Sequence, residues 1–304
     1  MTSVAITLPV FAVIAAGWLF RKYRVVDAVW VHVLNAFAYY VSLPALIVVS
    51  FWKLDFSEPR VYISVLASVG IMIAFMVLVL ALAVLLPISR KQKAALFLVA
   101  TTGNTIYLGL PLVTSSLGSR YLSYGALVAT VYLVLPILVS IFVVRWWAHH
   151  EHSLRHQLVL FLKNPLTVAS LIGVCISFIP KNGAALQVLE SALAMIGATA
   201  SPVALFALGG FLYKRFLKRR LALVAGFSLV KTIAFPALVL IVSSLVGIAD
   251  TKNLLLLLAA MPVAVTTFVI AERFDLDTTL VGNSLLASTI ISFFTIPLII
   301  AYLF

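Results

Sequence analysis

The sequence predicts an all-α polytopic membrane protein of ten transmembrane helices, arranged as two inverted five-helix repeats, with the fourth and ninth helices broken. Three observations predict it. The 304 residues are 64% hydrophobic and only 10% charged, whereas charged residues make up about a quarter of an ordinary soluble domain. Apolar runs recur along the whole chain, most of them close to the roughly 17–25 residues needed to cross a bilayer. Two of these runs carry helix-disrupting residues near their middles, one in each half: Gly103-Asn104-Thr105-Ile106-Tyr107-Leu108-Gly109-Leu110-Pro111 and Met261-Pro262-Val263-Ala264-Val265-Thr266-Thr267.

The first run, Ala5–Phe20, is followed at once by Arg21-Lys22-Tyr23-Arg24. A cleaved signal peptide has the reverse polarity, so this reads as a retained span. The second run is Ala36–Phe51, around Leu43-Pro44-Ala45-Leu46, and the third is Val61–Leu86. The fourth, Ala94–Leu117, contains the first break; the fifth, Leu122–Trp147, approaches Pro136 through Thr130. Residues 1–147 thus form a first set of five and residues 148–164 a cytosolic or interfacial linker. The second set, 165–304, opens with a short sixth run, Leu166–Ile179. The seventh, Ala184–Tyr213, is long enough to be tilted or bent at Pro202. Leu221–Ile248 is the eighth, Leu254–Ile270 the ninth with the second break, and Thr278–Leu303 the tenth.

Charge placement orients the chain. The net charge of +12 is read by position, as in a membrane protein, and not as a nucleic-acid surface. The ends of odd-numbered runs and the connections after them hold 15 of the 21 Lys and Arg; those after even-numbered runs hold Lys53, Arg60, Arg120, Lys181 and Lys252, and Lys231 lies inside a run. Basic residues concentrate on the cytoplasmic side, so both termini are expected to be extracytoplasmic. Five spans per set force the second set to insert upside down relative to the first, an inverted repeat. Internal echoes agree: Leu43-Pro44-Ala45-Leu46 with Ser201-Pro202-Val203-Ala204-Leu205, the two breaks, and the threonine-then-proline pattern of the fifth and tenth runs.

The breaks carry the functional expectation. Glycine and proline free backbone N–H and C=O groups at membrane depth, where only protein or a wet cavity satisfies them. A matched pair of interrupted spans points to the substrate site of a transporter. Asn104 and Lys231 each lie ten residues into their runs, about 15 Å deep. Lys231 reads either as a positive charge near the path of an anionic substrate, or as a structural lysine that clamps unwound backbone or pairs with Glu190. Asn104, with Thr101, Thr102, Thr105 and Tyr107, makes the fourth run unusually polar. Its place in the break favours ligand contact over interhelical hydrogen bonding. Pro111 and Pro262 are expected to end or start half-helices, whose N-termini present N–H groups to an anion. Thr266 and Thr267 add hydroxyls beside the second break.

Other clusters read more plainly. His149-His150-Glu151-His152 with His156 lacks a His-Glu-x-x-His pattern and reads as a solvated loop. The run Lys214-Arg215 with Lys218-Arg219-Arg220 reads as a topology anchor at an anionic leaflet. Cys175 can form no internal disulfide, being the one cysteine. No metal and no cofactor is called for; coupling to sodium or to protons stays open.

At these residues the chain resembles the auxin efflux carrier family, particularly its short prokaryotic, malonate-permease-like members. The resemblance covers nearly the whole chain through Leu43-Pro44-Ala45, Asn104-x4-Gly109-x-Pro111, Leu162-Lys163-Asn164-Pro165, Lys231-x4-Pro236, Met261-Pro262-Val263-Ala264 and Ser288-Thr289 with Pro297. It implies ten spans related to the bile acid/sodium symporter fold, with the broken fourth and ninth helices crossed. Transport of an organic anion by elevator-like motion is implied too, with spans 1, 2, 6 and 7 as scaffold and 3–5 and 8–10 as transport core. Homodimers occur among relatives, and a bacterial inner (plasma) membrane is the implied location. Plant members that export auxin often have a long hydrophilic loop after the fifth span, where this chain has only Ala148 to Asn164, so a small carboxylate fits as well as auxin. The expected function is a secondary transporter of a small organic anion, framed by Asn104, Thr105, Tyr107, Pro111, Lys231, Pro262, Thr266 and Thr267. The alternatives are a sensor or receptor with a carrier fold, a channel, or an intramembrane enzyme, for which no deep acidic, metal or Ser/His/Asp set is present.

Overall fold

Prolines and caps divide the apolar runs into helices. The computed structural model describes residues 3–148, 162–179, 183–213 and 220–303. Helix α1 (Ser3–Lys22) ends on Arg21 and Lys22, cations at the negative end of the helix dipole. Helix α2 (Ala28–Phe37) starts where Asp27 accepts the Trp30 N–H at 2.9 Å, satisfying a donor that the helix cannot. It continues through a π-helical turn (Ala38–Ser42) into α3 (Leu43–Trp52). Helix α4 (Pro59–Leu85) follows, and α5 (Arg90–Thr101) opens on a reciprocal Ser89–Gln92 capping box. A second π-helical turn (Thr105–Gly109) leads into α6 (Leu110–Leu117), and α7 (Leu122–Ala148) comes after a short 3-10 turn. Then come α8 (Pro165–Ser177), α9 (Ala184–Ala198), α10 (Ala200–Leu212) and α11 (Leu221–Leu229). A third π-helical turn (Val230–Ala234) joins α11 to α12 (Phe235–Val246), followed by α13 (Ala249–Ala259), α14 (Val265–Arg273) and α15 (Thr278–Leu303).

Each π-helical turn ends two residues before a proline: Ser42 before Pro44, Gly109 before Pro111, Ala234 before Pro236. Proline lacks an N–H and its ring crowds the carbonyl four residues back. Widening the preceding turn lets the helix pass that point without stopping, as Leu43 N–H reaching Ala38 O and Phe235 N–H reaching Val230 O illustrate. Pro202 acts differently: the helical run is interrupted at Thr199, three residues earlier, separating α9 from α10.

Among the described residues, seven helical stretches are long and apolar enough to cross a membrane: Ser3–Lys22, Ala28–Trp52, Pro59–Leu85, Ser119–Val144, Ala184–Leu212, Leu221–Val246 and Thr278–Leu303. The expected fourth and ninth runs are interrupted, and the sixth, α8, has 13 residues. The second stretch starts at Ala28, not Ala36. His32 and Asn35 make its first turns look like a loop, yet both face a cavity described below. The histidine cluster 149–156 and the basic residues 214–219 lie outside the described residues; Arg220 is described and bonds Asp277 at 2.7 Å.

Helices α1 and α10 pack backbone to backbone. A Cβ on Gly17 would lie 1.9 Å from Phe206 O, and one on Gly209 would lie 1.9 Å from Ile14 O. Without a hydrophobic drive between helices in lipid, such small-residue contacts let dispersion act at short range. Gly209→Val is therefore expected to separate the pair, lowering the melting temperature and the yield of monodisperse protein; unchanged melting would contradict this packing. α3 packs on α8 and α9, and α2 on α10, while α4, α5 and α7 pack together and α11 packs on α15.

Candidate functional site

The two breaks satisfy each other. α5 stops at Thr101, and Thr102–Gly103 run extended beside Pro262–Ala264, with Gly103 and Val263 forming an isolated antiparallel bridge. Asn104 N–H donates to Pro262 O at 2.7 Å, and Ala264 N–H donates to Thr102 O at 3.4 Å. The Thr102 and Thr267 hydroxyls share a hydrogen bond of 2.6 Å. Val263 N–H donates to Ser288 Oγ of α15 at 3.1 Å. Part of the backbone freed from two helices is thus paired within protein, as its depth requires.

Helix resumes on the far side of each break. The first restart is at Thr105, through the π-helical turn, six residues ahead of Pro111, which sits inside the restarted helix at the opening of α6. Among the described residues the N–H groups of Thr105, Ile106 and Tyr107 have no backbone acceptor, and neither do those of Val265 and Thr266. Pro262 lies two residues past the α13 cap, Ala260, where proline commonly follows a helix end.

The expected site residues fall in different surroundings. Tyr107 and Thr266 line a cavity of about 900 Å³. Asn104 is 2% exposed, and its Nδ2 has no hydrogen-bond partner; the Thr266 hydroxyl also has none. Buried polar groups left unpaired are costly and point to a missing ligand or water. Thr105 donates to Ala129 O at 3.1 Å and Thr267 is paired with Thr102, so these two hydroxyls act as interhelical hydrogen bonds. Pro262 is buried at the crossing, and Pro111 is half-buried in α6.

Lys231 is fully buried, with Nζ donating to Ala259 O at 2.9 Å and lying 4.6 Å from the centre of the Phe235 ring. It clamps the end of α13 and does not line the cavity. Glu190 is not its partner: that carboxylate bonds Lys53 at 3.1 Å.

Besides Tyr107, Val265 and Thr266 at the breaks, the cavity lining includes Arg21, Asn164, Tyr213 and Glu272. One wall comes from α1, α2, α8 and α10, including Tyr39, Tyr40 and Phe211; the other comes from α7 and α14, including Leu133 and Phe268. Sequence reasoning missed most of these wall residues, because they come together only when distant helices pack. Cysteine scanning checks the floor: in a Cys175→Ser background, Thr266→Cys is expected to react with a water-soluble thiol reagent and Thr267→Cys to be protected. Equal labelling would misplace the cavity floor.

A family model described as membrane transport protein matches residues 2–157 and 145–300. An uncharacterized transporter of Methanocaldococcus jannaschii is 23% identical over 307 residues, covering 98% of each chain. The lysosomal cholesterol signaling protein of Mus musculus is 25% identical over 311 residues, which cover 94% of this chain but 36% of the mouse protein.

Proposed function

The chain belongs to the membrane transport protein family that includes the auxin efflux carriers, and from that premise we propose that it is a secondary transporter moving a small organic anion by elevator-like alternating access. The observation that carries this reading is the pairing of two helix breaks whose restarted helices contribute Tyr107, Val265 and Thr266 to the lining of a large cavity. The N–H groups of Thr105–Tyr107 and of Val265–Thr266 have no backbone acceptor among the described residues, and Tyr107, Val265 and Thr266 line the cavity. Such ends carry partial positive charge and suit a carboxylate. The unpaired Asn104 amide and Thr266 hydroxyl supply further hydrogen bonds. Lys231 contributes positive charge from the crossing without touching the substrate in this conformation.

The elevator reading draws on the two walls. One is built from the first, second, sixth and seventh apolar segments, the expected scaffold, and the other from the expected core. Sliding of one wall against the other would carry the floor across the membrane. Arg21, at the end of the first run that the charge rule puts on the cytoplasmic side, is part of the cavity lining, and we read this conformation as inward-open. Ten crossings in two inverted sets, 1–147 and 165–304, fit the pairing of one break with the other.

Uptake of labelled malonate, malate, acetate and indole-acetate into proteoliposomes, with sodium, proton and voltage gradients imposed in turn, tests the reading. Saturable flux of one of them is expected. Anion binding without flux would overturn the carrier reading in favour of a sensor.

A further inference from the structure

A second cavity, of about 530 Å³, is lined from α4 and its cap, the 3-10 turn Ser119–Tyr121, α7 and α13. These residues lie in or beside the connections after even-numbered runs, so the charge rule places the cavity at the extracytoplasmic end. Its chemistry differs from that of the central cavity with its aromatic walls: Leu254 is the one aliphatic residue among the described lining. Two guanidinium groups, of Arg60 and Arg120, stand against one carboxylate, that of Glu58, which accepts the Tyr124 hydroxyl at 2.7 Å. Arg60 already interacts within the protein. Arg120 forms no ion pair among the described residues. Its guanidinium lies 5.1 Å from the centre of the Tyr121 ring, a contact that holds the group without using its N–H donors. Two hydroxyls of the lining, Ser64 (0% exposed) and Thr251 (6%), have no hydrogen-bond partner. Other helical hydroxyls, such as those of Thr101, Thr130 and Ser140, donate to the carbonyl four residues earlier. Ser64 and Thr251 do not, and one χ1 rotation re-aims such a group.

We propose that this outer cavity is a second binding site, which takes a phosphate group, free or carried by a lipid headgroup, through Arg120, Ser64 and Thr251. The two oxygens of a carboxylate are filled by a guanidinium fork alone. A tetrahedral oxyanion offers further acceptors, which match hydroxyls contributed by two other helices. The bound group braces the two broken segments. Arg120 follows α6, the helix resumed after the first break, and Thr251 lies near the start of α13, which ends at the second. The segments that meet at the crossing are thereby tied again at their outer ends, across α4. The proposal does not depend on what the central cavity carries.

The test is thermal melting of the purified full-length protein in detergent, stripped of lipid, with chloride exchanged stepwise for inorganic phosphate at constant ionic strength. A ligand of the folded state raises the melting temperature with its concentration, so wild type is expected to show a saturable rise. Arg120→Gln is expected to raise the half-saturating phosphate concentration at least about tenfold, as the loss of a hydrogen bond to a charged group does. Thr251→Val, nearly isosteric and so little disturbing to the fold, is expected to raise it severalfold. A second arm adds phosphatidylglycerol, with diacylglycerol as the control that lacks the phosphate. A rise with free phosphate that Arg120→Gln weakens assigns the site to a soluble anion. A rise with phosphatidylglycerol alone, absent with diacylglycerol and weakened in Arg120→Gln, assigns it to a lipid headgroup. No rise with either probe, or a rise that Arg120→Gln leaves intact, would overturn the proposal.

Discussion

Gly103→Val is expected to abolish transport and to lower the melting temperature sharply, whereas Gly70→Ala should leave both unchanged. The two glycines differ in their surroundings, not in their chemistry. A Cβ at Gly70 meets nothing within 4 Å, while one at Gly103 lies 2.9 Å from Lys231 Cε and Nζ. That ammonium cannot retreat freely, because Ala259 O and the Phe235 ring hold it in a fully buried position. Displacing it would leave a buried charge without its acceptor, and a hydrogen bond to a charged group is worth about 1.5–3 kcal/mol. Valine would also crowd the bridge from Gly103 to Val263, on which the crossing depends. A double variant, Gly103→Val with Lys231→Ala, separates the two effects: if the clash with the lysine dominates, the second substitution adds less destabilisation than it causes alone. Strict additivity in a double-mutant cycle, read by melting, would show that the loss lies in the backbone and not in the lysine.

The parts legible in the sequence are those that local chemistry dictates. Gly103 and Pro262 marked both breaks, and membership of a transporter family followed from motifs spread along the chain. The detail of the first restart was hidden. Pro111 suggests a helix beginning beside it, but the π-helical turn carries the helix back to Thr105, so the free N–H groups lie on Thr105–Tyr107. Partnerships were hidden as well. Nothing local links Lys231 to Ala259 or Thr102 to Thr267; each pairing exists because the two breaks meet. The second helical stretch starts at Ala28, ahead of the expected Ala36. In lipid, His32 and Asn35 would be costly, but in α2 they line the cavity. Polar residues mark a loop or a wet wall, and only packing distinguishes the two.

Asn104→Asp is the substitution whose sign separates anion from cation at the breaks. The change is nearly isosteric, and the backbone contacts of residue 104, its N–H to Pro262 O and its carbonyl to the N–H groups of Leu108 and Gly109, do not depend on the side chain. The difference falls on Nδ2, the buried donor that lacks a partner. With a carboxylate ligand, that donor would make a charge-assisted hydrogen bond worth about 1.5–3 kcal/mol, or roughly 10–150-fold in affinity. Aspartate removes the donor and, when ionised, adds repulsion, so affinity for the transported anion is expected to fall by at least that factor. A cation held at the same place would respond the other way, because a carboxylate ligand strengthens binding of a hard cation through oxygen. Asn104→Leu completes the set, since it removes the donor without adding charge and should lose less anion affinity than aspartate does. Equilibrium binding of the labelled anion that gives saturable uptake, measured for all three proteins in the same detergent, reads the order directly. Wild type above leucine above aspartate is the order expected of an anion site; aspartate at or above wild type would assign the break to a cation instead.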